Sequence, residues 1–204
     1  MRYQYQGTTK DKQGKIIPSA TISTFLAGTT TPAKCYTTWN GTTEVYSVTS
    51  NAQGKFVFFV DAFDYGSNQT YKTIISKSGF TSFTQDNIKI EDVVLGTYII
   101  STDKTASYDL IPPKGVIFSI ASTKTLTING YFEAGLYQVF SGSGIVIFGN
   151  STIKKVYPQW WCASITTIDS VAMQAAFTAA NYASGPQKPV HFVAGDYLID
   201  STVV

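Results

Sequence analysis

Residues Val190-His191-Phe192-Val193-Ala194-Gly195-Asp196-Tyr197-Leu198-Ile199 form a strand-and-glycine unit that follows a short amphipathic segment near the end of the chain. Such a unit is one rung of a stacked β architecture, and a single rung cannot bury its own apolar face. Two expectations follow. Either the chain is the front of something longer, or the missing neighbours come from other subunits.

Upstream, from Gly96 to about Val156, alternating strands recur roughly every ten residues. They are Tyr98-Ile99-Ile100, Val116–Ile120, Leu126-Thr127-Ile128, Gln138-Val139-Phe140 and Ile145–Phe148. Pro112-Pro113-Lys114-Gly115, Asn129-Gly130, Gly142-Ser143-Gly144 and Gly149-Asn150 separate them as small polar corners. Regular strands with such corners fit a coiled β-solenoid or an interwoven set of strands. The proline pair marks a corner because proline cannot donate to a central ladder.

The first part, to about Glu91, reads as short strands between turns. Asp11-Lys12-Gln13-Gly14 and Asn51-Ala52-Gln53-Gly54 are turn signals. Ala20, Ile22 and Thr24 alternate against Thr21, Ser23 and Phe25, as in a half-buried strand. Lys55–Val60 is a run of β-branched and aromatic residues, expected to be covered on both faces. With no helical period in this part, a small all-β sandwich is expected. Near the other end, Asp169 is a helix N-cap, and Met173, Ala176, Phe177 and Ala180 share one apolar face. Ser184-Gly185-Pro186 should end that helix. The fold class is thus mainly β: an N-terminal β-sandwich over 1–93, a solenoid-like or intertwined strand region over 94–158, and a Trp-Trp linker, capping helix and first β-helix rung over 159–204.

Charged residues make up 14% of the 204 and the formal net charge is +2. That balance, without a basic run, predicts no nucleic-acid binding. No segment approaches the ~20 apolar residues of a membrane span, and the N-terminus lacks a secretory signal, so synthesis in the cytoplasm is expected. Cys35 and Cys162 are far apart and are read as reduced thiols, not as a disulfide or metal pair. No cofactor or metal is predicted.

The acids are Asp11, Glu44, Asp61, Asp64, Asp86, Glu91, Asp92, Asp103, Asp109, Glu133, Asp169, Asp196 and Asp200. None forms a persuasive pair for glycoside hydrolysis, and the close ones read as turn or strand-end residues. His191, between Val190 and Phe192, should face away from the core. No catalytic residue is predicted. Trp160 and Trp161 read as a packing plug beside the helix, with a sugar-stacking platform as the alternative. Trp39 sits next to the Asn40-Gly41 turn signal, and is the candidate for a carbohydrate or partner contact.

Two resemblances add to this reading. Asp11, Gly14, Pro18, Ala20 and Ile22, then Thr49, Gly54, Phe56 and Phe58, then Tyr71, Gly79 and Phe80 follow an order that resembles the prealbumin-like, carboxypeptidase-regulatory-like sandwich. That resemblance implies an attachment or spacer module. The stretch from Lys124 to Phe140, followed by Val156-Tyr157-Pro158-Gln159-Trp160-Trp161, is similar to the region preceding the pectate-lyase-like parallel β-helix of bacteriophage tailspikes and tail fibres. Ala163, Asp169, Met173, Gln174, Phe177, Val190, Phe192, Gly195, Tyr197 and Ile199 fill further places of that pattern. Cys162 stands where the family has Gly, Ser164-Ile165-Thr166-Thr167 lacks its Gly-Asp-Gly stretch, and Val193 replaces Pro.

The resemblance implies a structural virion protein, the adaptor portion of a tail fibre or tailspike that anchors a receptor-binding element for host attachment. It implies a homotrimer docked on other phage tail proteins (baseplate, nozzle or adaptor), located in the virion tail, with host surface polysaccharide as a further partner. The alternative function is the front end of a β-helix polysaccharide depolymerase whose catalytic part lies beyond residue 204. A carbohydrate-binding module of a bacterial surface protein is the third reading.

Overall fold

The computed structural model describes residues 1–149, 153–164, 167–181 and 187–199, and divides into two compact units, Arg2–Val94 and the remainder from Leu95. In the first, β1 (Arg2–Thr8), β2 (Thr21–Leu26), β3 (Ser47–Thr49), β4 (Lys55–Asp61), β5 (Thr70–Ser76), β6 (Phe83–Lys89) and β7 (Asp92–Val93) build two antiparallel sheets. Their orders are β4-β1-β7 and β3-β2-β5-β6. Ala20, Ile22 and Thr24 are fully buried, as the alternation predicts. The Thr24 hydroxyl is satisfied by donating to the Ala33 carbonyl at 2.7 Å.

Both predicted turns form by one device. The Oδ1 of Asp11 accepts from the N–H groups of Gln13 and Lys15, and that of Asn51 accepts from those of Gln53 and Lys55. Each turn closes on a left-handed glycine, Gly14 or Gly54. β4 departs from the expectation of two covered faces. Its first half exposes Lys55 and Val57, and only Phe58–Asp61 is covered on both sides. A four-residue helix, α1 (Ala62–Tyr65), follows β4 where no helix was expected. It is too short to show a period, and Asp61 caps it by accepting from the Phe63 N–H at 3.0 Å.

This unit concentrates buried phenols. Burial pushes Tyr3, Tyr5, Tyr36, Tyr65 and Tyr71 above the ordinary value of 10.0, and at Tyr36 the neighbouring Asp64 carboxylate adds to the effect. Below pH 10 both the folded and unfolded chains keep these protons. Above it the unfolded chain loses them first, so each rise in pH favours unfolding. The first unit should therefore lose stability as pH climbs from about 10. Tyrosinate absorbance should then rise together with loss of circular dichroism, and phenols titrating freely in a folded chain would contradict this.

The second unit contains β8 (Gly96–Ile100), β9 (Lys104–Ala106), β10 (Val116–Ile120), β11 (Thr125–Ile128), β12 (Phe140–Gly142) and β13 (Ile145–Phe148), in two parallel sheets ordered β12-β10-β8 and β13-β11-β9. Successive passes of the chain stack in register. Val116 lies on Gly96 and Ile145 on Thr125, 20 residues on; Phe118 pairs with Phe140, Lys104 with Leu126, and Leu110 with Phe132, 22 residues on. This unit is thus an in-register stack of coils, with inward-pointing Val116, Phe118, Ile120, Leu126, Ile128, Val146 and Phe148 buried. At the corners backbone meets backbone. A Cβ on Gly130 would stand 2.1 Å from the Tyr108 carbonyl oxygen, and one on Gly142 2.2 Å from that of Ile120. No side chain fits either place.

Past a 3-10 turn at Pro158–Trp160, β14 (Thr167–Asp169) leads into α2 (Ser170–Ala180), and β15 (Asp196–Leu198) returns to pair with β14 in parallel. A parallel bridge also joins Val156 to Val190. Asp169 caps α2, its Oδ1 accepting from the Ala172 N–H at 2.8 Å. The expected helix stop at Ser184-Gly185-Pro186, like Asp200, lies outside the described residues.

Candidate functional site

Two tryptophan environments decide where a ligand or partner could be met. Trp160 is 2% exposed. Its indole N–H donates to the Gly135 carbonyl at 3.0 Å, and its ring meets Phe132 at 5.0 Å, Tyr157 at 5.4 Å and Phe148 at 5.9 Å. Its backbone carbonyl accepts from Val139 N–H at 2.9 Å, which extends the coil ladder into the 3-10 turn. A ring so enclosed offers no face to a sugar. Trp161, half-buried, meets Phe140 in a tilted contact at 4.9 Å and ends an aromatic column that runs through Phe118 to Tyr98 down one parallel sheet.

Trp161 also packs with Cys162, Ile168, Ala172 and Met173. The helix therefore meets the tryptophan pair as a plug. Its buried face is made of Ala172, Met173, Ala176, Ala179 and Ala180, while Phe177 is half-buried on the flank, 6.0 Å from Phe192. Small residues let α2 lie close to β13, the turn and β14. Met173→Ala should cost about 2–5 kcal/mol. Phe177→Ala should cost less, because solvent already reaches the ring, and Gln174→Ala should stay within about 0.5 kcal/mol. Thermal unfolding of the three variants gives the order, and a Phe177 effect exceeding that of Met173 would refute it.

Gln159, 1% exposed, donates through Nε2 to the Tyr197 hydroxyl at 3.5 Å, and that hydroxyl donates to the Val193 carbonyl at 2.6 Å. This chain of bonds ties the turn to the last rung, although Oε1 of Gln159 finds no partner among the described residues. His191 is exposed, with its ring 5.3 Å from Tyr157.

Trp39 is different. At 39% exposure it stands on the loop between β2 and β3, and the loop is held from beneath by Arg2. The guanidinium donates to the Thr38 carbonyl at 3.2 Å and the Gly41 carbonyl at 2.8 Å, pairs with Asp61 at 3.1 Å, and lies 3.3 Å from the centre of the Tyr36 ring. Tyr36 bridges β4 through Phe59 and donates its hydroxyl to Asp64 at 2.8 Å. Lys34 and Glu44 pair at 2.9 Å across the loop base, and Lys34 N–H donates to the Tyr65 hydroxyl. A partly exposed indole thus stands on a loop whose carbonyls on either side Arg2 holds, an arrangement able to stack on a ring or receive an apolar group. Sequence reasoning singled out Trp39 but not Arg2, whose hydrogen-bond partners are 36 to 59 residues away.

Most of the acids have structural occupations. Asp11, Asp61 and Asp169 cap turns or helices, Asp86 accepts from Gly28 and Asn87 N–H groups, and Asp103 accepts from Thr125 N–H. Glu91 pairs with Lys89, and Glu133 accepts from Tyr131. Among the described residues no group of three or more His, Cys, Asp or Glu side chains could hold a metal ion. Cys35 and Cys162 are both buried free thiols.

The class these features define is a mainly-β chain with antiparallel sheets first, parallel stacked sheets after, and one longer helix near the C-terminus. Compared with protein-family models, with curated proteins and with solved structures, the chain gives no significant match.

Proposed function

We propose that this chain is a structural component of a bacteriophage tail appendage, the adaptor portion of a tail fibre or tailspike, and that it does no catalysis itself. The observation that carries this reading is the parallel coil stack that ends in the Trp160-Trp161 plug and resumes beyond α2, where Val190 pairs with Val156 and β15 with β14. Parallel-stacked β structure that follows an antiparallel module in the sequence suits a chain with a structural role. The structural occupations of most of the acids support the non-catalytic half of the proposal.

Outward-facing Ile99, Ile145, Leu136 and Tyr108 are all exposed on the coils. Apolar side chains on a weakly charged surface favour self-association, and the proposal includes a homotrimer. Trp39 on its fixed loop is the proposed contact with a tail protein or a host polysaccharide.

Mass spectrometry of particles purified from a lysate of the host carrying this gene is the test. The chain should be present in multiples of three per particle. Its absence from particles that contain their other tail proteins would overturn the proposal.

A further inference from the structure

The first unit carries a second surface, distinct from the Trp39 loop. β1 pairs with β4 along its whole length, from Arg2–Asp61 to Thr8–Lys55, but with β7 only at Tyr3 and Gln4. The directions of its backbone groups are fixed by two bonds. Thr9 N–H donates to Gly54 on the β4 side, and Arg2 accepts from Val94 N–H on the β7 side. Residues alternate, so the N–H and C=O groups of Gln6 and Thr8 point to the β7 side, beyond the end of that two-residue strand. Among the described residues no backbone partner meets them there.

Next to this open edge lies a cleft of about 760 Å³ between the two sheets. Phe56, Ile17 and Ile75 form its floor, and Phe56 reaches into place because Gly7 has no Cβ: one would stand 2.7 Å from the ring. Phe80 and Phe83 stand at the rim, 47% and 59% exposed. The Tyr5 hydroxyl, donating to Gln85 Oε1 at 3.0 Å, spans from one sheet to the other. β6 is likewise an edge strand, paired with β5 alone.

Positive charge outnumbers negative at this cleft, three lysines to one aspartate. Lys10, Lys12 and Lys77 line it, and none pairs with a carboxylate among the described residues. Asp11 is committed to its own turn. An open strand edge, an apolar cleft and lysines that no carboxylate pairs among the described residues together describe a receptor for one kind of occupant.

We infer that this cleft takes an extended, acidic segment of a partner polypeptide, which adds a strand beside Gln6 and Thr8. Its backbone completes the ladder that β7 leaves short. Alternate apolar side chains fill the slot over Phe56, and its carboxylates meet the three lysines. This inference does not depend on the tail-appendage reading.

The probe is a synthetic peptide of about ten residues alternating valine with glutamate, long enough to span the edge. With the full chain, the peptide should slow amide hydrogen exchange over residues 4–9, and fluorescence anisotropy should report saturable binding. Thr8→Pro removes an N–H that β4 does not use, so the fold should survive while affinity falls about tenfold or more. Lys10→Glu with Lys12→Glu should weaken binding in a salt-dependent way. Absence of binding, or binding that Thr8→Pro leaves unchanged while its circular dichroism is native, would overturn the inference. So would polysialic acid protecting the same amides equally well in the Thr8→Pro variant, which would make the cleft a site for acidic sugars.

Discussion

Trp160→Ala is expected to cost about 3–5 kcal/mol, the range for deleting a buried large aromatic side chain. The loss has two parts. Removing the indole opens a void among Phe132, Phe148 and Tyr157, and it strands the Gly135 carbonyl that the indole N–H satisfies. Trp160→Phe separates them. It keeps most of the ring volume and loses only the hydrogen bond, so about 1–3 kcal/mol is expected. In a unit of this size each kcal/mol lowers the midpoint by about 4–8 °C. Trp160→Ala should therefore collapse the second unit's transition while leaving that of the first in place. Equal and small effects of both substitutions, read by differential scanning calorimetry, would show that the aromatic cluster is not the core of the coil stack.

Arg2→Ala is expected to be comparably costly, about 3–5 kcal/mol, because it removes the guanidinium that pairs with the buried Asp61 charge. Asp61 is 5% exposed and Arg2 7% exposed. Adding Asp61→Asn to Arg2→Ala should recover part of the loss: asparagine keeps an oxygen for the Phe63 N–H and carries no charge. What it cannot restore is the hold on the loop, since Thr38 and Gly41 lose their donor in both variants. Acrylamide quenching of Trp39, measured with Trp160 and Trp161 replaced by phenylalanine, should rise in both. An unchanged quenching constant would mean that the loop is rigid without Arg2.

The parts of the fold legible in the sequence were those in which one local pattern was enough. Alternation gave β2 and the strands of the coils, paired side-chain acceptors and glycines gave the turns at Asp11 and Asn51, and Asp169 gave the start of α2. β6 was missed because five of its seven residues are exposed in a row, leaving no apolar face to alternate. β1 was missed because tyrosine, glutamine and glycine alternate there in place of aliphatic residues, and the space at Gly7 is meaningful only once Phe56 lies over it. β9 is three residues long and held by register with β11.

The candidate site divides the same way. Trp39 could be picked out because a large aromatic next to a turn signal is conspicuous. The Arg2 anchor could not, since its four contacts are made across the fold. For the helix, the 3.6-residue period named Phe177 as an apolar position, but helix period does not rank depth. The alanines sit deeper because β13 comes close to the helix backbone.

The 20- and 22-residue spacing of the coils also makes the second unit a ruler. Each full pass of chain advances the stack by one strand separation, about 4.8 Å, whereas the same residues drawn out as a single strand would reach roughly 3.3 Å apiece. Chain is exchanged for girth. Reach can change only in whole coils, because a partial insertion would shift Phe140 off Phe118 and Trp161 off Phe140 and break the column. Variants of this architecture with a longer or shorter reach should differ in steps of one coil, with the tryptophan plug moved bodily along the axis and its surroundings unchanged.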